Sequence, residues 1–201
     1  MEAAEKEFAE KGFFGARVDA IAASAGINKR MIYAYFGDKE ALYKQVLLHS
    51  YQKMEEIEQH LISLSLTGET LIAHIVGAYF DFLSRNPDFV NILMWENLNQ
   101  GKYLAQLEDS VIERKTIQHF IHAIDEGKRA GVFRKNIDSF QVVLSLITTC
   151  FSNFSNQYTL SRLFNLDLTN QDNMEIRKIH TTEILKNYIC EVTENESHTM
   201  E

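Results

Sequence analysis

The chain has 201 residues, 45 % of them apolar, and a formal net charge of −8. With 13 Phe and 8 Tyr it can fill a sizeable core, while a single proline and 9 glycines speak against a turn-rich β fold. No stretch approaches the roughly 18 uninterrupted apolar residues of a membrane helix, and the acidic opening Met1–Phe8 is unlike a signal peptide, so a cytoplasmic chain with no membrane partner is expected.

The apolar residues recur with helical period nearly throughout, which predicts an all-α fold. A first helix covers about Glu2–Lys11, with Phe8 inward and Gly12 as its stop. A second spans about Val18–Ala25 on the stripe Val18, Ile21 and Ala22. Gly26 then permits a sharp turn, and Asn28 is a good N-cap for a short helix ending near Phe36. Gly37 closes that helix, and Asp38 caps a fourth running to about Leu61. Thr67-Gly68 precedes a helix over Glu69–Arg85. Asn86-Pro87 is a cap and first turn for another through Leu98. Gly101 separates this from a long helix expected over Leu104–Ala130, stopped by Gly131. Asp138 caps a helix expected to reach Tyr158, and after a polar loop at 165–172 the last helix covers Met174–Thr193. The organisation expected is a head at 1–46, a body at 47–194 and a disordered tail at 195–201.

The charge is unevenly distributed. Residues 1–44 hold 7 basic and 7 acidic side chains, so the whole net charge of −8 belongs to the body. Gly15–Lys44 carries Arg17, Lys29, Arg30, Lys39 and Lys44 against Asp19, Asp38 and Glu40. A small basic face on an acidic body can approach a phosphate backbone in one orientation. Cys150 and Cys190 have no metal or redox spacing and read as reduced thiols.

Val18–Phe36 has the proportions of a helix-turn-helix. At 100° per residue, Lys29, Arg30 and Tyr33 share one face of its second helix, while Met31, Ile32 and Tyr35 turn toward the head's interior. Ala22, Ala23 and Ala25 allow close helix approach. The exposed face would meet base edges in a major groove: Arg30 has the fork that fits guanine, and Lys29 reaches a base or a phosphate. Asn28 with the helix N-terminus, and Lys39 on the next helix, suit phosphate oxygens. Periodicity alone leaves a solvated helical hairpin as the competing reading.

Gly12-Phe13, Ile21-Ala22, Ala25-Gly26-Ile27, Ile32–Phe36 and Asp38–Leu42, in that order and spacing, resemble the DNA-binding domain of the TetR family across about Ala3–Val46. The resemblance implies that Lys29 and Arg30 face bases while Tyr33, Tyr35 and Lys39 contact phosphates. Two departures stand out. Arg17 occupies a position where the family commonly has Ser or Thr; it cannot cap through an acceptor but can bind phosphate. The chain also opens inside the first helix, without the family's basic lead-in.

For the body, the family implies dimerisation through the last two helices and an enclosed effector pocket. Leu144, Ile147, Phe151, Phe154 and Tyr158, with Ile184, Leu185, Tyr188 and Ile189, offer more apolar surface than a monomer core needs, although a monomer core is the alternative. Tyr79, Phe82, Trp95, Phe120 and Phe151, with Glu96 as a polar handle, are candidates for the pocket. His119, His122 and Glu126 share a helix face on which a metal would fit, but such residues more often face solvent, and no metal or cofactor is expected.

The leading expectation is a homodimeric, ligand-responsive repressor that binds a near-palindromic double-stranded operator and answers to a small-molecule effector. The alternative is a DNA-binding protein of the same fold whose body docks a protein partner. A helical enzyme ranks last, since no nucleophile–base pair or phosphate loop is present.

Overall fold

The computed structural model describes residues 1–107 and 115–190, and among them every extended element is a helix. In chain order these are α1 (Glu2–Gly15), α2 (Val18–Ser24), α3 (Lys29–Phe36), α4 (Lys39–Ser63), α5 (Gly68–Arg85), α6 (Pro87–Leu98), a 3₁₀ turn (Leu104–Gln106), α7 (Lys115–Arg129), α8 (Ser139–Ser155), α9 (Gln157–Phe164) and α10 (Gln171–Ile189). An isolated bridge joins Phe133 to Cys190.

Three elements differ from expectation. Gly12 interrupts α1 without ending it: its φ of 64° and ψ of 179° make a kink, and one more turn follows to Gly15. Leu104 does not open a long α-helix, because the 3₁₀ turn ends at Leu107 in extended conformation; residues 108–114 of that expected helix lie outside the described ones. The helix expected to reach Tyr158 stops at Ser155. Asn156 leaves helical geometry at φ −112°, and its amide donates to Ser152 O and to the Ser155 hydroxyl. Tyr158 therefore belongs to a separate helix, α9. The last helix starts earlier than Met174 because Asn170 caps it, accepting from Asp172 N at 2.9 Å. It ends at Ile189, where Cys190 turns extended at φ −81° and ψ 148°; residues 191–193 of the expected helix, and the expected tail, fall outside the described residues.

The chain divides into two compact units, Met1–Ile57 with Phe82–Arg114 and Glu58–Asp81 with Lys115–Glu201. In the first, α1 lays Ala4, Phe8 and Ala9 against Ile21, Ile32, Leu42, Val46 and Leu47, all at most 4 % exposed. An aromatic group completes this core: Phe8 and Tyr43 meet edge-on at 4.9 Å, and Phe13 lies 4.5 Å from Tyr103. Residues Trp95 and Glu96 of α6 fasten this unit from two sides. The Trp95 indole N–H donates to Ala9 O at 3.1 Å, and its ring lies where a Cβ on Gly12 would be only 2.6 Å away. The Glu96 carboxylate, 4 % exposed, accepts from Tyr103 N at 2.7 Å, Leu104 N at 2.8 Å and the Tyr43 hydroxyl at 3.3 Å. Burial, with Glu96 beside it, pushes the Tyr43 phenol well above its ordinary pKa, so it stays a donor.

In the second unit Ile72, Ile75, Val76, Phe80, Phe120, Ile124, Val142, Leu146, Phe154 and Ile189 are buried together with Tyr79, and Phe80 packs edge-on against Phe154 at 5.5 Å. The fully buried Glu58 accepts hydroxyl hydrogen bonds from Tyr79 and Thr116. Burial raises the Cys150 thiol to about 12, which leaves it an unreactive apolar filler.

Candidate nucleic-acid interface

α2 buries Val18, Ile21 and Ala22, fixing which way the following turn leaves. Ala25 N bonds Ile21 O at 2.9 Å and Ile27 N bonds Ala22 O at 3.1 Å, so the turn is held by backbone alone, with Gly26 at φ 65° supplying a conformation other residues resist. Asn28 then caps α3 as expected, accepting from Arg30 N at 2.9 Å. In its eight residues α3 buries only Ile32.

That single anchor corrects the helical wheel. Met31 is 42 % exposed and Tyr35 is 75 % exposed, although their angular positions point inward, because so short a helix meets the core along one line. Tyr33, Tyr35, Arg30 and Lys29 are therefore all accessible on α3. Tyr35 stands outward, where the family resemblance places it.

The cations differ in how they are held. Lys29 Nζ lies 2.8 Å from the Asp19 carboxylate and 5.8 Å from the Tyr33 ring. The hydrogen bond to Asp19 raises the lysine pKa, and the same bond lowers that of the carboxyl. Arg30 is exposed, with no carboxylate in ion-pair distance among the described residues. Arg17 occupies the N-cap of α2 without a side-chain cap bond. Its backbone N–H instead donates to Glu7 at 3.0 Å, leaving an exposed guanidinium. Lys39 lies 5.0 Å over the Phe13 ring with a long 3.5 Å hydrogen bond to Phe14 O, and burial lowers its pKa. Asp19, counted in the sequence only as an opposing charge, thus proves to be the local partner of a candidate base-reading lysine. Its position in the first turn of α2 is the signal that was available.

The six pocket candidates separate. Trp95 and Glu96 are committed to packing within the first unit, and Phe82 packs on Phe89 at 5.0 Å there. Tyr79, Phe120 and Phe151 belong to the second unit, where Phe120 lines a cavity of about 540 Å³ with Leu61, Leu71 and Val132. His119, His122 and Glu126 border the same cavity, with His122 Nε2 3.3 Å from Glu126. Among the described residues no group of three His, Cys, Asp or Glu side chains is placed to hold a metal. Of the candidate dimer residues, Leu144, Tyr158, Ile184 and Tyr188 are 42–71 % exposed and Ile147 is half-buried, whereas Phe154 and Leu185 are turned into the core. Phe154 and Leu185 follow the apolar repeat of their helices but lie on its inner edge.

Residues 1–46 match the family described as "Bacterial regulatory proteins, tetR family", and residues 69–185 match "Tetracyclin repressor-like, C-terminal domain". The chain belongs to the TetR family. It is accordingly a DNA-binding transcription regulator with its helix-turn-helix in α2 and α3. It is similar to the HTH-type transcriptional repressor NicS of Pseudomonas putida, with 33 % identity over 85 % of this chain and 81 % of that protein. The HTH-type transcriptional repressor SCO4008 of Streptomyces coelicolor is 30 % identical over 73 % of this chain and 72 % of its own length. The fold is also that of FadR from Bacillus subtilis, solved in complex with stearoyl-CoA, at a TM-score of 0.72 and 18 % identity over 94 % and 96 % of the two chains. No helix among the described residues is long and apolar enough to cross a membrane.

Proposed function

We propose that this TetR-family regulator is a cytoplasmic, homodimeric, ligand-responsive repressor of a near-palindromic operator. Residues 1–46 form the DNA-binding head and 47–194 the sensing and dimerising body. The observation that carries the reading is the open row of Lys29, Arg30, Tyr33 and Tyr35 on α3, capped by Asn28 and fixed by Ile32 alone. Such a helix enters a major groove with its N-terminal residues at the base edges, and a two-fold dimer presents two copies to two half-sites. Arg30, with no acidic partner among the described residues, reads a guanine edge; Lys29 must leave Asp19 to contribute. Arg17, Tyr33, Tyr35 and Lys39 position the backbone. The repressor names of NicS and SCO4008 support the regulatory sense, and the FadR complex with stearoyl-CoA supports an effector in the body. No residue is assigned a catalytic role.

An operator selected from random-sequence DNA tests this. Arg30→Ala should cost about 1–3 kcal/mol on the selected sequence and flatten discrimination at one position per half-site. Lys39→Ala should weaken selected and scrambled DNA alike and lower the salt slope by about 0.9 per head. Equal losses on both DNAs for Arg30→Ala would remove Arg30 from the base-reading role.

A further inference from the structure

The surface of α3 divides into two lanes of different chemistry. Ile32, the one buried residue of the helix, gives the inward direction, and about 100° per residue carries Arg30 and Ala34 roughly 160° round from it, to the outermost line. Tyr33 and Met31 stand about 100° from Ile32 on opposite sides. Lys29 and Tyr33 run along one flank, where the ammonium lies 5.8 Å from the ring. The other flank is apolar. Ile27 in the preceding turn is 40 % exposed, and Met31 in the first turn of α3 and the Tyr35 ring in the second are exposed with it. Ala34, also exposed, lies between the lanes, where its single methyl lets the floor of a groove come close.

Met31 is the member of the apolar lane best placed to meet a base. It is the third residue of α3, with its N–H bonded to Asn28 O at 2.8 Å, so its side chain leaves the part of such a helix that reaches base edges. An unbranched thioether has no proton to donate and accepts only weakly, so it cannot answer the polar edges of adenine, guanine or cytosine. Pressed on one of them, it would strip water from a donor or acceptor and replace nothing. In unmodified DNA one base alone carries an apolar group in the major groove, and that group is the C5 methyl of thymine.

We propose that Met31 reads a thymine methyl in each half-site, beside the base pair that Arg30 reads. The two residues are consecutive and fall on either side of the outermost line of α3, so they address neighbouring base pairs. The surface they share is continuous with the helix-turn-helix that the family assigns to DNA. The inference rests on α3 lying in the major groove, as proposed above, but is read through a methyl group that Arg30 does not need.

The test uses the operator selected from random-sequence DNA, with each thymine in turn replaced by uracil. That exchange removes the methyl and leaves every hydrogen-bonding group in place. For the full-length wild-type protein, uracil at one position should weaken binding about fourfold, and about fifteenfold when both half-sites carry it. Met31→Ala should bind the thymine and uracil operators equally, with its affinity for scrambled DNA unchanged. Met31→Leu keeps an apolar side chain and should keep the preference for thymine. Because Met31 is exposed, neither variant opens a gap in the core. A selected half-site without thymine, no loss at any uracil in wild type, or equal losses in wild type and Met31→Ala, overturns the proposal. So does a Met31→Ala protein that weakens operator and scrambled DNA alike, since the residue would then only position the helix. The two readings of α3 fail separately. Loss of the thymine preference in Met31→Ala, while Arg30→Ala costs the same on both DNAs, keeps Met31 and removes Arg30 from base reading. A sequence-selective Arg30 with no methyl dependence keeps the major-groove reading and removes this one.

Discussion

Replacing Gly12 by alanine should destabilise the DNA-binding head far more than a methyl group in a helix ordinarily does. Two costs add. At φ 64° and ψ 179° the backbone sits in a region nearly reserved for glycine, which costs a residue with a side chain about 1–3 kcal/mol. The new Cβ would also lie 2.6 Å from Trp95 Cδ2 and 2.8 Å from Cε3. These are atoms of a rigid ring whose N–H is bonded to Ala9 O, so the ring cannot swing aside freely, and overpacking of this kind costs a further ~1–3 kcal/mol. The sum, about 2–6 kcal/mol, is a large part of what holds a small unit folded. Urea unfolding followed by circular dichroism gives the change as a shift in midpoint at constant slope. Gly77→Ala is the control: α5 is regular there, nothing lies within 4 Å of the added carbon, and a gain of roughly 0.4–1 kcal/mol is expected. A loss below about 1 kcal/mol for Gly12→Ala would refute the reasoning, because either cost alone is of that size.

Asp19→Asn should free Lys29 for DNA, tightening operator and scrambled DNA at low salt and steepening the salt slope by up to about 0.9 per head; an unchanged slope in filter-binding titrations would mean that the ion pair does not compete with DNA. Ile184→Glu, on the exposed face of α10, should give a folded monomer in sedimentation, and a variant that remains dimeric would move the interface elsewhere. The head should also lose stability in acid. Burial works to raise the Glu7 carboxyl, but the hydrogen bonds from Lys11 at 2.7 Å and Arg17 N at 3.0 Å outweigh it and hold the pKa below its ordinary value of about 4.5. A folded pKa below the unfolded one contributes stability that is complete above that ordinary value and disappears as pH falls through the lowered one. Glu7→Gln should flatten this part of the stability–pH curve, and an unaltered curve would assign the acid sensitivity to other carboxylates.

The helix-turn-helix was legible because its signals are local. Gly26, Asn28, Gly37 and Asp38 act on their own backbone, and each appears where its chemistry placed it. Prediction failed where a distant residue decides. Gly12 reads as a helix stop, yet its role is to admit Trp95, more than eighty residues away. Trp95-Glu96 reads as a pocket with a polar handle, but Glu96 spends its carboxylate on Tyr43 and the backbone of Tyr103 and Leu104. Periodicity shows the apolar stripes of α8 and α10 but does not divide inner from outer edge, so Phe154 and Leu185 read in the sequence like Leu144 and Ile184. The Asn156 break has no glycine or proline to mark it in the sequence.

The chain contains one tryptophan, and the packing of α6 places it in the first unit, against the kink of α1. Indole emission is sensitive to the polarity and order of its surroundings, so this protein carries an unlabelled optical probe that watches its DNA-binding end. The second unit has no such fluorophore. Far-UV ellipticity, by contrast, sums over helices in both. Comparing the two signals along one denaturation curve therefore separates the units: coincident transitions mean that they melt together, and an emission change that runs ahead of ellipticity means that the head lets go first. The same emission, recorded during titration with a candidate ligand that does not itself absorb or quench, registers whether an event in the body is felt at the kink.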